Sequence, residues 1–576
     1  MKLELIINYM FLLVTILAIY ISVRNFVSED NENNKFKQFI EKHATKIVLL
    51  ILFIFTLTKM YRLAELPYEH LDEQFLMYQV KSFVTIGADM YGAKFPVYSR
   101  AWGWGMSMGY IYIATAFCKL FGVSYFTVRF PMMIIGTISG WFVYLIGKNK
   151  NKLYGIMATL IYCCMPFNWF GQRWALDRTL FPLIFIIGVY FAIEYFKKQK
   201  VSNLYIAFIF FGLSLYGYAN AYIIVPAFLI FCLYYGIKNK RIKPKDTIGP
   251  VILLAIIALP LILFVLKSVF GFIDIDKFLF FTISDAHTDR GSEFGLYLDQ
   301  VIDVFKTLLG TNGCSNISIV SSGLYFLFMM PFTLFGIISY FRKNAKKEVD
   351  VIDSIFLFLL IIALIYGIII LDSDAGKLNI LMVTFPFVIT EGINYVFKNR
   401  SKMWVLTIAM TIICSTVSIY GYLANDGYLR QIEAEINPVG IEVTLNEIQH
   451  NEELKDKNIY LVCFGQYGIP AMLNSLDLTA EEMSSLKYVD YEHPYYGQME
   501  VFNKVKNFEL IKVSGDSSTY LERFDNTEFE LDSNGVYVMP VVHYTMNDIY
   551  KAVESKISQV SKLQYSSELE RYNIYY

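Results

Sequence analysis

The chain has 576 residues, of which 55% are apolar and only 18% charged, and its mean hydropathy is +0.43. Soluble globular chains sit nearer a quarter charged, so an ordinary soluble protein is excluded and a membrane protein is indicated. The net charge of −1 gives no ground for a nucleic-acid partner or for a strongly acidic one.

About 20 helical residues cross the roughly 30 Å of a bilayer's hydrocarbon core. Runs apolar enough to do so stand at about 4–24, 46–63, 125–147, 153–170, 177–196, 203–217, 219–237, 248–267, 321–341, 352–371, 378–397 and 403–423, twelve in all. The first is too long for the core of a signal peptide, and Arg24-Asn25-Phe26 offers no small-residue cleavage site, so it reads as a retained anchor. The short pair on either side of Tyr216-Gly217-Tyr218 reads as two spans or as one hairpin.

Turns 148–152, 197–200, 238–245, 342–347 and 398–402 together carry eighteen Lys and Arg, against Arg173, Arg178 and Lys377 in the short turns opposite. Basic turns stay in the cytoplasm. Segments 64–124, 268–320 and everything after about 424 are therefore expected outside. In the first of these, Leu71 to Thr85 carries an apolar stripe (Leu71, Phe75, Tyr78, Phe83) with Gly87 placed to end a helix, and Trp104 to Phe121 is a second apolar stretch closed by Gly122. Both are expected as helices lying in or near the interface. The tail alternates strand-like runs (Asn458–Cys463, Gly535–Pro540) with helical ones (Asn446–Leu454, Thr545–Leu563), an α/β pattern of ordinary domain size. The expected division is a transmembrane domain over 1–423 and a soluble extracytoplasmic domain over 424–576. None of the seven cysteines has the spacing of a metal site, and Cys314 and Cys463 outside the spans read as separate thiols sooner than as a disulfide.

Chemistry belongs in the outer segments. Leu66 to Gln74 (LPYEHLDEQ) packs Glu69, His70, Asp72 and Glu73 together just beyond a span. Transfer to a hydroxyl needs a group that takes its proton. Neighbours on a helix diverge by about 100°, so only one of Asp72 and Glu73 can address a given point. The competing reading makes Asp72 a helix cap and Glu73 a first-turn acid. Arg173, Asp177 and Arg178, with Trp169 and Trp174 beside them, occupy an outer turn; they read either as a phosphate site or as an internal ion pair. Asp285, His287, Asp289, Arg290 and Glu293 cluster in the second outer loop, where the plain reading is a solvated loop. Tyr91, Tyr98, Trp102 and Trp104 could stack on sugar rings or form an interfacial belt.

Taken in order, His70-Leu71-Asp72-Glu73, Gly87 to Gly92, Pro96-Val97-Tyr98, Gly109 to Tyr112, Leu120-Phe121-Gly122, Arg129-Phe130-Pro131, Pro166 to Trp169 with Arg173, and Gly212 to Tyr218 resemble the GT-C superfamily of membrane glycosyltransferases. The resemblance, over roughly 46–400, is to the protein O-mannosyltransferase-like branch (glycosyltransferase family 39) and its bacterial relatives. It implies an α-helical polytopic fold with interfacial helices in the first outer loop. It implies a polyprenyl-phosphate sugar donor, reaction on the outer face, and inversion at the anomeric carbon. By the same analogy Asp72 matches the catalytic acid, Glu73 its neighbour, and Arg173 and Arg290 take the carrier phosphate; His70, Asp177 and Arg178, from the residue reading above, are the further candidates for substrate contact. One departure concerns a Lys-Pro-Pro of related lipid-modifying enzymes, which is replaced here by Gly103 to Met108, so either Lys94 or Arg100 supplies the cation or the substrate differs. No cofactor is implied beyond an optional Mg²⁺ or Mn²⁺. The expected partners are the lipid-linked sugar, the bilayer, and an acceptor protein or glycan, in a bacterial plasma membrane. The rival readings are a multi-pass transporter or lipid flippase, which would place charges mid-span, and a non-catalytic envelope assembly protein.

Overall fold

The computed structural model describes residues 2–24, 35–67, 71–101, 104–284, 295–308, 324–346, 350–370, 376–424, 441–464, 469–486, 489–493, 497–501, 504–513, 531–540, 554–555, 557–559, 561–566 and 572–576. The chain opens with α1 (Lys2–Val23) and α2 (Lys35–Met60), then α3 (Leu71–Thr85), which ends before Gly87 at a φ of +70°. A short antiparallel pair follows, β1 (Tyr98–Ala101) with β2 (Trp104–Ser107), and then α4 (Gly109–Phe121). The second interfacial helix thus starts later than the sequence predicts. Residues 104–107 instead pair as a strand with 98–101, and Gly105 leaves room there for the Tyr98 ring, whose hydroxyl donates to the Gly105 carbonyl at 3.0 Å.

Helices α5 (Tyr125–Gly147), α6 (Lys152–Cys164), α7 (Pro166–Gly171), α8 (Asp177–Lys198), α9 (Val201–Ser214), α10 (Ala221–Lys238) and α11 (Pro244–Ser268) follow. The run expected as one span at 153–170 breaks at Met165, since Pro166 has no N–H to continue α6. A two-stranded hairpin, β3 (Lys277–Phe278) and β4 (Phe281–Thr282), precedes α12 (Val301–Leu308), α13 (Met330–Lys346), α14 (Val351–Ile369), α15 (Leu381–Val396) and α16 (Ser401–Ala424). All twelve expected runs contain helix. Among the described residues, eight helices are long and apolar enough to cross a membrane: those beginning at Leu3, Gln38, Tyr125, Asp177, Ala221, Pro244, Val351 and Ser401. The others are shorter.

Helices α6, α8 and α15 are enclosed by the rest of the bundle, while α1, α2 and α11 leave broad apolar faces uncovered. The α13–α15 crossing is close because glycine allows it: a side chain at Gly392 would meet the Phe332 carbonyl, and one at Gly336 the Val388 carbonyl. At the basic-turn end, Lys150 and Lys343 each bridge Asp353 and Glu391, and Ser339 donates to Glu391 at 2.8 Å. This ring of two cations and two carboxylates ties the α5–α6 turn to α13, α14 and α15. It satisfies four charges that would otherwise be costly to bury.

Beyond α16 the chain turns to α/β structure: α17 (Ile441–His450), β5 (Ile459–Phe464), α18 (Ile469–Ser475), α19 (Ala480–Ser485), the pair β6 (Val489–His493) and β7 (Gly497–Val501), then β8 (Lys504–Val505), β9 (Phe508–Val513), β10 (Val536–Pro540), β11 (Leu563–Ser566) and β12 (Tyr572–Tyr575). Six strands form one sheet in the order β11-β12-β10-β5-β9-β8. The central pairs β10–β5 and β5–β9 are parallel, and the outer ones antiparallel. Two expectations shift here: the first helix lies upstream of 446–454, and Leu563 begins a strand. Much of 545–563 lies outside the described residues, as do Cys314 and the side chain of Cys463.

Candidate active site

Helix α3 begins just past the segment 61–67 that leaves the end of α2, and that segment is held by two buried arginines. Arg129, near the start of α5, is 1% exposed and donates Nη1 to Leu63 O at 2.9 Å and Nη2 to Pro67 O at 2.8 Å. Arg173, in the α7–α8 turn, is 0% exposed. Its Nη1 donates to Thr58 O, Lys59 O and Tyr61 O at 3.2, 2.7 and 2.9 Å, and its Nη2 to Arg62 O and Leu66 O at 3.3 and 2.8 Å. The last carbonyls of a helix have no partner within it, and a cation at that end also opposes the helix dipole. Arg173 therefore closes α2, with its guanidinium 4.8 Å from the Trp169 ring and 5.6 Å from that of Tyr422.

Glu73 completes this frame. Its carboxylate takes Arg129 in a two-pronged pair, Nε to Oε1 at 2.8 Å and Nη2 to Oε2 at 2.6 Å, and Oε1 also accepts the Ala175 N–H at 2.9 Å. Fork-on-fork pairing of this kind fixes orientation as well as distance. With Glu73 at 0% exposure and both oxygens engaged, it joins α3, α5 and the α7–α8 turn. Asp72 is partly exposed, and it sits within the first turn of α3 as its second residue, not ahead of it as a cap. The roughly 100° between neighbours sends one carboxylate into the frame and leaves the other at the surface.

The loop after α3 is organised by Asp89, which is 2% exposed. Oδ1 accepts the N–H groups of Tyr91 and Ala93 at 3.0 and 2.8 Å, and Oδ2 accepts the Ser99 hydroxyl at 3.1 Å. Burial outweighs these bonds and pushes the carboxyl up to about 6. The loop carries exposed Lys94 and half-buried Arg100 and is stitched to the β3–β4 hairpin, with Val97 N–H on Thr282 O at 3.0 Å and the Thr282 hydroxyl on Lys94 O at 2.6 Å.

The sequence-predicted residues thus divide. Asp72 stays at the surface, and Lys94 and Arg100 share one loop. Glu73, expected to be catalytic, and Arg173, expected at the carrier phosphate, are both drawn into the frame: the Glu73 carboxylate pairs with Arg129, and both Nη atoms of Arg173 donate to backbone carbonyls. Asp177 opens α8 and accepts the Arg178 N–H on Oδ1 at 2.7 Å; half-buried Arg178 has its carbonyl on Asn379 Nδ2 at 2.6 Å. Tyr98 is buried and stacks on Phe264 at 4.8 Å, so it is not a free sugar platform. His70 and Arg290 lie outside the described residues, as do Asp285, His287, Asp289 and Glu293. Among the described residues no three His, Cys, Asp or Glu side chains gather as a metal site.

Two features escaped the sequence reading. Arg129 was legible only as part of a motif, although an arginine inside an apolar span is itself a signal. The seating of the tail on α3 had no signal at all. Lys81 Nζ donates to Leu473 O, Asn474 O and Leu476 O at 3.3, 3.0 and 2.7 Å, closing the end of α18. Asn474 Nδ2 bonds Gln74 O at 2.9 Å and Glu442 at 3.1 Å, and Glu442 accepts the Tyr125 hydroxyl at 2.6 Å.

A family model described as dolichyl-phosphate-mannose-protein mannosyltransferase matches residues 107–265. No curated protein matches the sequence. The structure is similar to that of ArnT from Cupriavidus metallidurans at 10% identity, with TM-scores of 0.54 to its apo state and 0.55 to its complex with undecaprenyl phosphate, covering 92% of this chain and 98% of that one. A looser likeness, TM-score 0.47 at 11% identity over 74% of this chain, is to the apo oligosaccharyltransferase of Archaeoglobus fulgidus, of which the chain spans 64% of the length. The chain therefore shares the fold of ArnT, and its residues 107–265 carry the pattern of the dolichyl-phosphate-mannose-protein mannosyltransferase family.

Proposed function

We propose that this protein transfers a sugar from a polyprenyl phosphate to an acceptor hydroxyl of a protein, wall polymer or glycolipid, with Asp72 as the base. The observation that carries the reading is the division of labour at the start of α3: Glu73 is buried and locked by Arg129, while Asp72 is partly exposed. The lipid donor is supported by the fold shared with a protein solved with undecaprenyl phosphate and by the family description. In the proposed step the acceptor oxygen bonds the anomeric carbon as its proton passes to the Asp72 carboxylate. The bond from that carbon to the phosphate oxygen breaks, and its electron pair leaves with the phosphate. A single displacement inverts the centre, as in inverting glycosidases. Lys94, Arg100 and Arg178 are the described cations proposed to steady the leaving phosphate, together with Arg290; His70 completes the proposed substrate contacts. The proposed domain division is 1–423 and 424–576, and the five basic turns support an extracytoplasmic tail in the plasma membrane.

The test is Asp72→Asn, assayed on the lipid-linked sugar that accumulates when the protein is deleted. Asparagine is close to isosteric but takes no proton, so consumption of that donor should fall by roughly 10²–10⁴-fold while the protein still inserts and folds. Near wild-type turnover would end the assignment.

A further inference from the structure

The stretch from the end of α11 to the β3–β4 hairpin exposes more large apolar surface than water tolerates. Phe270 is 56% exposed, Phe272 74%, Leu279 79% and Phe280 63%, with Phe95 at 50% on the loop stitched alongside. These rings touch one another: Phe270 stacks on Phe272 at 5.3 Å, Phe280 lies 4.3 Å from Phe281, and Phe95 meets Phe280 edge-on at 5.9 Å. Contiguous apolar patches of this sort mark an interaction surface.

The turn itself points the same way. Leu279 and Phe280 form a two-residue connection between β3 and β4, and Leu279 has a φ of +54°. That conformation suits Gly or Asn, and a leucine there carries a strain of order 1–3 kcal/mol. Glycine or asparagine would make the turn more easily, yet two large apolar side chains occupy its tip.

What covers the patch follows from where it begins. α11 already presents Ile248, Val251, Ile252, Ile256 and Ile262 outward on a helix long and apolar enough to span a membrane, and Val269 and Phe270 continue that face without a break. The hairpin base is tied to the last turn of the span: Lys267 Nζ bonds Asp276 at 2.6 Å and Ile283 O at 3.2 Å, and Ser268 bonds Ser284 O at 3.0 Å. Two-residue strands at about 3.3 Å per residue cannot carry the tip far from that anchor. Exposed Lys94 and Lys277 flank the aromatics, the arrangement expected at headgroup level.

We propose that the β3–β4 hairpin, with Phe95, Phe270 and Phe272, is a wedge inserted among the acyl chains of the leaflet at the end of α11. It would hold the loop bearing Lys94 and Arg100 against the membrane surface. The proposal concerns a lipid contact and does not depend on any transfer reaction.

The experiment places a nitroxide at Leu279→Cys, Phe280→Cys or Phe95→Cys, one at a time, with Cys314 and Cys463 replaced by serine. The full-length protein is reconstituted in phosphatidylcholine–phosphatidylglycerol vesicles. The native Cys118, Cys163, Cys164, Cys232 and Cys414 are buried. Collisions with oxygen should exceed those with a water-soluble nickel chelate several-fold at all three positions, giving a depth of about 5–10 Å. A label at exposed Glu481 should show the reverse preference. Chelate collisions at 279 and 280 as frequent as at 481 would overturn the wedge. Strong spin–spin broadening at the tip would also overturn it, in favour of contact with a second copy of the chain.

Discussion

Replacing Glu73 by glutamine removes one charge from a pair that has no water to fall back on. Glu73 is 0% exposed and Arg129 1%, so either single change leaves an uncompensated buried charge, at a cost of about 3–5 kcal/mol. In Glu73→Gln one oxygen can still accept the Ala175 N–H and Arg129 Nε, but the new amide nitrogen turns a donor toward Arg129 Nη2. Arg129→Met is the harsher change. It strands the carboxylate with a single N–H and frees the carbonyls of Leu63 and Pro67, each adding about 1 kcal/mol. The double variant Glu73→Gln/Arg129→Met buries no unpaired charge, so its cost should fall below the sum of the singles by at least about 2 kcal/mol. Reversible denaturant titration in mixed micelles measures all three. Transfer should drop on the order of 10²-fold in Glu73→Gln, because a displacement of about 1 Å at the start of α3 misplaces Asp72. The shape of the pH–rate profile should be that of the wild type, since Glu73 takes no proton from substrate. Single variants within about 1 kcal/mol of wild type, or an altered profile in Glu73→Gln, would refute the scaffold role.

Lys81→Met removes the cation on the three carbonyls that end α18; a charged hydrogen-bond group of this kind is worth about 1.5–3 kcal/mol. Amide exchange in α17 and α18 should rise by roughly 10–100-fold, and unchanged protection would show that the tail is held elsewhere. Asp89 has its carboxyl raised from 3.8 to about 6 by burial, so the native state holds this proton more tightly than the unfolded chain. Its contribution is most favourable below the lower value and is lost as pH rises through the upper one, by up to about 3 kcal/mol. Asp89→Asn keeps an oxygen for Tyr91 and Ala93 and should abolish that decline, seen as a stability difference from wild type that grows between about pH 4 and 7; a constant difference would contradict it. A reporter active only in the cytoplasm, fused after Asn425, should be silent, and activity there would invert the proposed topology.

The sequence by itself determined the membrane class, the twelve apolar runs, the alternation of turns rich and poor in Lys and Arg, and α3 as a helix ending before Gly87. These are readable because run length, periodicity and glycine are local properties. The acidic pair was legible as a candidate for the same reason, and helical geometry already required its two members to face different ways. Which of them faces inward was not. That depends on Arg129, some fifty residues downstream, and only packing brings its guanidinium to Glu73. Arg173 looked like a phosphate ligand because an arginine at an outer turn has the right chemistry; the fold instead gives it five backbone carbonyls at the end of α2. Composition likewise could not tell a full span from a shorter enclosed helix such as α15, since both are apolar throughout. The seating of α18 on α3 was decided by tertiary structure alone: its bonds run to backbone carbonyls, which every residue carries, and no residue type announces them in advance.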